Sequence, residues 1–198
     1  ICVKACKDEH EHPHLPYSSA QPAPSYGYGI NSFGWPQTPH TLTPWVTSGH
    51  LWMKLDEHVK GAFPNIQAQY LPQPCMHCDP APCLQASNND AILRRPDGIE
   101  LIDPEKSHGQ NHLVDACPYH RIYYNTKRQM PQKCTFCAHL IDIGQRPRCV
   151  TACPLEVIIF GDLHDATSSL VRKIRALKAK PLQHVSGTHP AIYYTRPV

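Results

Sequence analysis

Ten cysteines carry the chemistry legible in this chain: Cys2, Cys6, Cys75, Cys78, Cys83, Cys117, Cys134, Cys137, Cys149 and Cys153. They fall into short groups: Cys2-x3-Cys6, Cys75-x2-Cys78-x4-Cys83, Cys117-Pro118, Cys134-x2-Cys137 and Cys149-x3-Cys153-Pro154. Disulfide scaffolds are short secreted chains with denser cysteine, and tight CxxC pairs are not their pattern. Four-thiolate zinc sites use CxxC pairs in symmetric spacing, which leaves the Cys-x3-Cys-Pro endings without a reason. Iron–sulfur ligation supplies one. In bacterial ferredoxins a C-x2-C-x2-C run holds one [4Fe–4S] cluster, and a fourth cysteine, three residues on and before proline, reaches the other. Proline lacks an N–H and has a fixed φ, so it turns the chain away as that last thiolate is placed.

Cys134-x2-Cys137 is then the start of a run and Cys149-x3-Cys153-Pro its end, with eleven residues looped out between. Cys75, Cys78 and Cys83 form a second start, its middle gap stretched by two. Counting back from Cys117 in gaps of three, two and two, the other ligands of its run fall on Leu113, Gln110 and Ser107, none a good iron ligand. The ending expected after Cys83 falls on Ser87. By the crossing rule these four positions belong to one cluster, so a whole ligand set is missing while the others stand. Cys2-x3-Cys6 is an ending without its start. Ten cysteines plus two upstream make twelve, three sets of four, and the expectation is a chain cut within a motif, with no targeting peptide to read.

The elements that must hold these thiols are short. The 198 residues allow one or two small domains. A net charge of +3 is too weak and too evenly spread for a nucleic-acid or membrane-surface binder. The longest apolar runs, such as Val157 to Phe160, fall far below the ~18 residues of a membrane helix. With 41% hydrophobic residues and 21 prolines, apolar burial alone makes a thin core. Residues 15–50 read as a proline- and aromatic-rich insertion loop. Ala91–Leu93 and Ile99–Ile102 flank Pro96-Asp97-Gly98 as a hairpin, while Ile122–Tyr124 and Val157–Phe160 read as further strands. Asp165 to Lys180 is an amphipathic helix with Leu170, Ile174 and Leu177 on one face and Pro181 as its stop. Ile192–Tyr194 is an edge strand or docking segment. His10, His12 and His14 read as a solvated or interface loop in preference to a metal patch, and Arg146 and Arg148 as solvated charge. His77 and His139 sit inside cysteine motifs, where a hydrogen bond to sulfur and plain packing are the alternatives.

The whole pattern resembles the iron–sulfur electron-transfer subunits of the dimethyl sulfoxide reductase family of molybdopterin enzymes. It is carried by Cys6-Lys7-Asp8-Glu9-His10-Glu11, Gly49 to Met53, Pro74-Cys75-Met76-His77-Cys78 with Ala81-Pro82-Cys83, Asp97 to Lys106, Cys117-Pro118-Tyr119 and Cys134 to Leu140. The match runs from Cys2 to about Tyr194, and within the family it is to the branch acting on polyhydroxylated benzenes. Two departures are the length of the insertion and an end at Val198, where that branch continues into a further β domain. The resemblance implies an α+β fold, a duplicated bacterial-type ferredoxin-like module. Residues 1–14 with 131–180 would form one unit and 51–130 another, with 181–198 a docking tail. It implies three [4Fe–4S] clusters: one on Cys75, Cys78, Cys83 and Cys117, one on Cys134, Cys137, Cys149 and Cys6, and a third shared by Cys2 and Cys153. It further implies a non-catalytic, cytoplasmic subunit with no membrane span, held by a large catalytic subunit whose Mo/W-pterin carries out hydroxylation or hydroxyl transfer. The rival readings are a subunit of a polysulfide, thiosulfate or arsenate reductase, and a free-standing polyferredoxin.

Overall fold

The structure, a computed structural model, describes residues 1–10, 52–182 and 187–195. The insertion expected at 15–50 lies wholly outside them, as do His12 and His14. Among the described residues every β element is a two-stranded antiparallel ribbon, and four such ribbons are joined by short helices. Helix α1 (Cys2–Glu9) puts Cys2 and Cys6 one turn apart on one face, with the Lys4–Asp8 ion pair at 2.8 Å outside. Strands β1 (Lys54–Lys60) and β2 (Gln67–Gln73) pair from Lys54↔Gln73 to Lys60↔Gln67. The turn between them begins at Gly61, whose φ of +86° and close approach to the Asn65 carbonyl leave no room for a Cβ.

Helix α2 (Pro82–Gln85) starts on a proline, whose missing N–H is one of the unpaired donors of a helix start in any case. Strands β3 (Ile92–Arg94) and β4 (Glu100–Ile102) form the expected Pro-Asp-Gly hairpin, with Gly98 at φ +82°. A 3-10 turn at Asn111–Leu113 leads to Cys117, and β5 (Tyr123–Asn125) pairs with β6 (Met130–Gln132). The short helices α3 (Ala138–Ile141) and α4 (Arg148–Thr151) follow, and α4 packs on α1. Helix α5 spans only Ser169–Ala176, not Asp165 to Lys180. Asp165 accepts from the Thr167 amide in a separate turn, and Ser168 caps the helix by accepting from the Val171 amide at 3.2 Å. The buried residue of α5 is Val171, and Leu177 stands 54% exposed.

The strand expected at Val157–Phe160 is absent. Among the described residues no ribbon partner lies beside it; the Glu156 amide donates to the Cys153 carbonyl at 3.2 Å, and the amides of 155–158 lower the Cys153 thiol. The last pair is β7 (Lys180–Pro181) with β8 (Tyr193–Tyr194). Tyr194 is buried and donates to the Pro72 carbonyl at 2.9 Å, so of the expected docking segment Tyr193 and Thr195 face outward. The residues before β8 lace over the first cysteine loop. The Asp79 amide donates to the His189 carbonyl at 3.0 Å, and the Ala191 amide to the Met76 carbonyl at 2.9 Å. The Tyr119 hydroxyl meets Thr188 Oγ1 at 2.7 Å. Two apolar cores result, each organised round cysteines. One gathers Leu71, Met76, Ile92, Leu113, Ile122 and Tyr194 with Cys78, Cys83 and Cys117, and the other Trp52 and Met53 with Cys6, Cys75 and Cys134.

Candidate iron–sulfur sites

Cys75 and Cys78 sit in the loop after β2, Cys83 in α2 and Cys117 after the 3-10 turn, and all four are buried free thiols. Burial, then the charges of Cys75, Cys117 and Glu100, pushes the Cys78 thiol up to about 12, with Lys133 opposing. Cys83 is likewise pushed up to about 12, by burial and then Cys75, again against Lys133. Burial raises Cys117 too, although the Arg121 amide donates to its sulfur at 3.3 Å. Two buried cations stand beside this set. Lys133 Nζ donates to the Glu100 carbonyl at 2.6 Å and lies 3.6 Å from Cys75 Sγ. Arg121 Nε donates to the Tyr119 carbonyl at 2.7 Å, and its Nη1 is buried without a hydrogen-bond partner.

The second set is Cys134, Cys137, Cys149 and Cys6. Cys137 opens α3, Cys149 lies in α4, and the packing of α1 on α4 brings Cys6 to them. Burial, then the charges of Cys137, Cys149 and Cys2, pushes Cys6 up to about 12. Cys134 is raised by burial and then by Cys6 and Cys75, so the two sets are neighbours. Cys149 rises to about 11 through burial, then Cys137 and Cys2. Here the surroundings are rings and a rim network. His10 Nε2 lies 3.4 Å from Cys137 Sγ and its ring packs on Trp52 at 4.3 Å. Glu9 accepts from Arg148 Nε at 2.6 Å and pairs with His139 Nε2 at 2.9 Å.

Cys2 and Cys153 are half-buried. The charge of Cys2 reaches Cys6 and Cys149. Burial raises Cys153, but the amides turned toward it outweigh that and lower it. At the four positions read as a lost ligand set, three side chains are buried and two bond to nearby backbone. Leu113 and Ser107 are fully buried, Gln110 bonds both ways with the Asn88 backbone at 3.0 Å, and Ser87 Oγ donates to the Leu84 carbonyl at 2.8 Å.

Four buried thiols that resist joint ionisation, flanked by buried cations with no carboxylate at ion-pair distance among the described residues, need a group that presents metal to sulfur and is anionic overall. A [4Fe–4S] cluster on four thiolates is such a group, so the donor set fits. Among the described residues no three Cys, His, Asp or Glu side chains converge on a single ion. A cluster gives each iron its own thiolate and holds the sulfurs apart, whereas a zinc site closes them on one centre. Both histidines flagged within motifs turn away from sulfur: His77 Nδ1 accepts from the Glu100 amide at 3.0 Å, and His139 meets Glu9. The histidine at sulfur is His10. Lys133 and Arg121 went unread because a basic residue beside a cysteine motif carries no sequence mark of burial.

Residues 66–163 match a family described as a 4Fe-4S dicluster domain. Over 197 residues the chain is 35% identical to the pyrogallol hydroxytransferase small subunit of Pelobacter acidigallici, covering 98% of this chain and 62% of that one. It is 33% identical over 162 residues to the beta subunit of the chlorate reductase of Ideonella dechloratans, covering 81% and 48% respectively. It is 32% identical over 176 residues to a subunit of the sulfite dehydrogenase of Allochromatium vinosum, covering 83% and 72%. The chain belongs to the iron–sulfur, electron-transferring subunits of the dimethyl sulfoxide reductase family of molybdopterin enzymes. It spans about half to two thirds of the length of the first two relatives. Among the described residues no helix is long and apolar enough to cross a membrane.

Proposed function

We propose that this chain holds three [4Fe–4S] clusters and relays electrons to or from a Mo- or W-pterin centre on a separate, large catalytic subunit. Cys75, Cys78, Cys83 and Cys117 hold one cluster, and Cys134, Cys137, Cys149 and Cys6 another; Cys2 and Cys153 contribute to the third. When bound, the clusters supply one-electron carriers, and the protein contributes spacing, burial and hydrogen bonds to sulfur. The observation that supports the reading is the full or partial burial of eight thiols on neighbouring loops and helices, with Cys78, Cys83 and Cys117 in one core and α1 packed on α4 beside Cys6 and Cys149, while Cys75 and Cys134 lie where the two sets meet. The packing of α1 on α4 supports grouping residues 1–14 with 131–180 as one ferredoxin-type unit, with 51–130 as the other. The burial of Ser107, Gln110 and Leu113, and the bonds of Gln110 to the Asn88 backbone, support a fourth site filled by protein.

Likeness to the pyrogallol hydroxytransferase small subunit across nearly the whole chain favours a partner that hydroxylates or transfers hydroxyl groups on polyhydroxylated benzenes in the cytoplasm. The insertion and Tyr193 are the surfaces proposed to meet it. The test is purification of the complex from its native host with iron and sulfide analysis. A fixed molybdopterin subunit, turnover of a polyhydroxybenzene and about twelve Fe with twelve acid-labile sulfides are expected. Turnover of a sulfur or arsenic oxyanion would assign the chain to a respiratory reductase, and a chain purified without a partner would make it a free polyferredoxin.

A further inference from the structure

Lys133 joins the two thiol sets by its two ends. Its backbone precedes Cys134 of the second set, while its ammonium lies 3.6 Å from Cys75 Sγ of the first. The residue is only 2% exposed. A buried ammonium is costly unless an anion meets it. Glu100 gives Lys133 its backbone carbonyl, and its carboxylate pairs with Arg94 at 3.4 Å while also feeling the Lys133 charge. Among the described residues no carboxylate stands at ion-pair distance from the ammonium, and the Cys75 sulfur lies 3.6 Å from it. We propose that Lys133 is a positioning residue that selectively raises the midpoint potential of the cluster held by Cys75, Cys78, Cys83 and Cys117. The inference rests on the assignment of those four cysteines as one ligand set.

The physical reason is charge. One-electron reduction adds a negative charge to the cluster, and a fixed cation beside a ligand sulfur favours the reduced form. Selectivity follows from where the charge acts. Among the described residues the ammonium reaches the Glu100 carbonyl at 2.6 Å and the Cys75 sulfur at 3.6 Å, and it makes no hydrogen bond to a sulfur of the second set.

The experiment compares the cluster-loaded full-length protein, in its complex, as wild type, Lys133→Met and Lys133→Arg. Iron and sulfide are counted, and the clusters are titrated with dithionite and mediators under EPR. Cys83→Ser identifies which signal belongs to the first set; if that variant keeps every signal and all its iron, the ligand assignment fails, not the role of Lys133. With iron intact, Lys133→Met should make reduction of the first cluster about tenfold less favourable, a negative shift of ~59 mV for one electron. The other midpoints should stay in place, and Lys133→Arg should stay near wild type. Unchanged midpoints at full iron, or an equal shift of all clusters, would overturn the proposal. If Lys133→Met fails to assemble, wild-type protein with ε-15N-lysine gives the answer by pulsed EPR. A 15N coupling on the first cluster's signal supports the contact, and none refutes it.

Discussion

The two CxxC loops share a positive φ at their third residue and differ in what surrounds them. His77 and Phe136 hold the same place in their loops, both have positive φ (43° and 54°), and their rings pack on each other at 4.3 Å. Around the first loop lie Lys133, Arg121 and Glu100, all buried, and the strap of residues 187–191. Around the second lie His10 and Trp52 inside and the Glu9, Arg148 and His139 network at the rim. The motif fixes where a thiol goes. Residues distant in sequence fix the field it feels, so two clusters in near-copies of one loop need not share a potential.

The largest test of this contrast removes a ligand from each side. Cys117→Ser and Cys137→Ser should each lose about four Fe, with different EPR signals disappearing. Loss of the same signal in both would merge the two sets into one. Next comes the filled position beside the first set. Leu113→Ala should cost about 2–5 kcal/mol in thermal or denaturant unfolding while the iron count holds, because Leu113 is fully buried. A loss of iron there would contradict a protein-filled site. Ser168→Ala, in α5, should cost about 1 kcal/mol through the lost cap and move no cluster signal, which calibrates how far a structural change spreads.

The smallest effect concerns the rim of the second set. Hydrogen bonds from His139, then Arg148, hold the Glu9 carboxyl below its ordinary value. A depressed carboxylate stabilises the fold above its unfolded pKa, and that share disappears as pH falls through the folded value. Partial exposure of Arg148 and His139 limits it to about 0.5 kcal/mol. Glu9→Gln should therefore lower the melting temperature slightly at neutral pH, and the difference should vanish below the carboxylate range.

What was legible in the sequence was local. Cysteine spacing marked out the runs, because ligand order follows chain geometry over a few residues, while the pairing of runs into sets came from the family resemblance. Pro96-Asp97-Gly98 gave its hairpin because the turn type is written in three residues. The apolar run at Val157–Phe160 misled, since a strand needs a neighbour and the run has Cys153 to serve instead. β1–β2 escaped because both strands are largely exposed, so alternation there is weak. His10, Lys133 and Arg121 were beyond reach for one reason: each meets its sulfur or its burial through packing between elements far apart in the chain.

The strap of residues 187–191 also bears on how the protein is made. Its bonds to Met76, Asp79 and Tyr119 come from residues synthesised 69 to 115 positions after those partners: Thr188 after Tyr119, His189 after Asp79 and Ala191 after Met76 (191 − 76 = 115). Until that stretch leaves the ribosome these bonds over the first cysteine loop are absent. On the proposed cluster assignment, metal delivered before then would meet a looser loop, so maturation would run metal before latch.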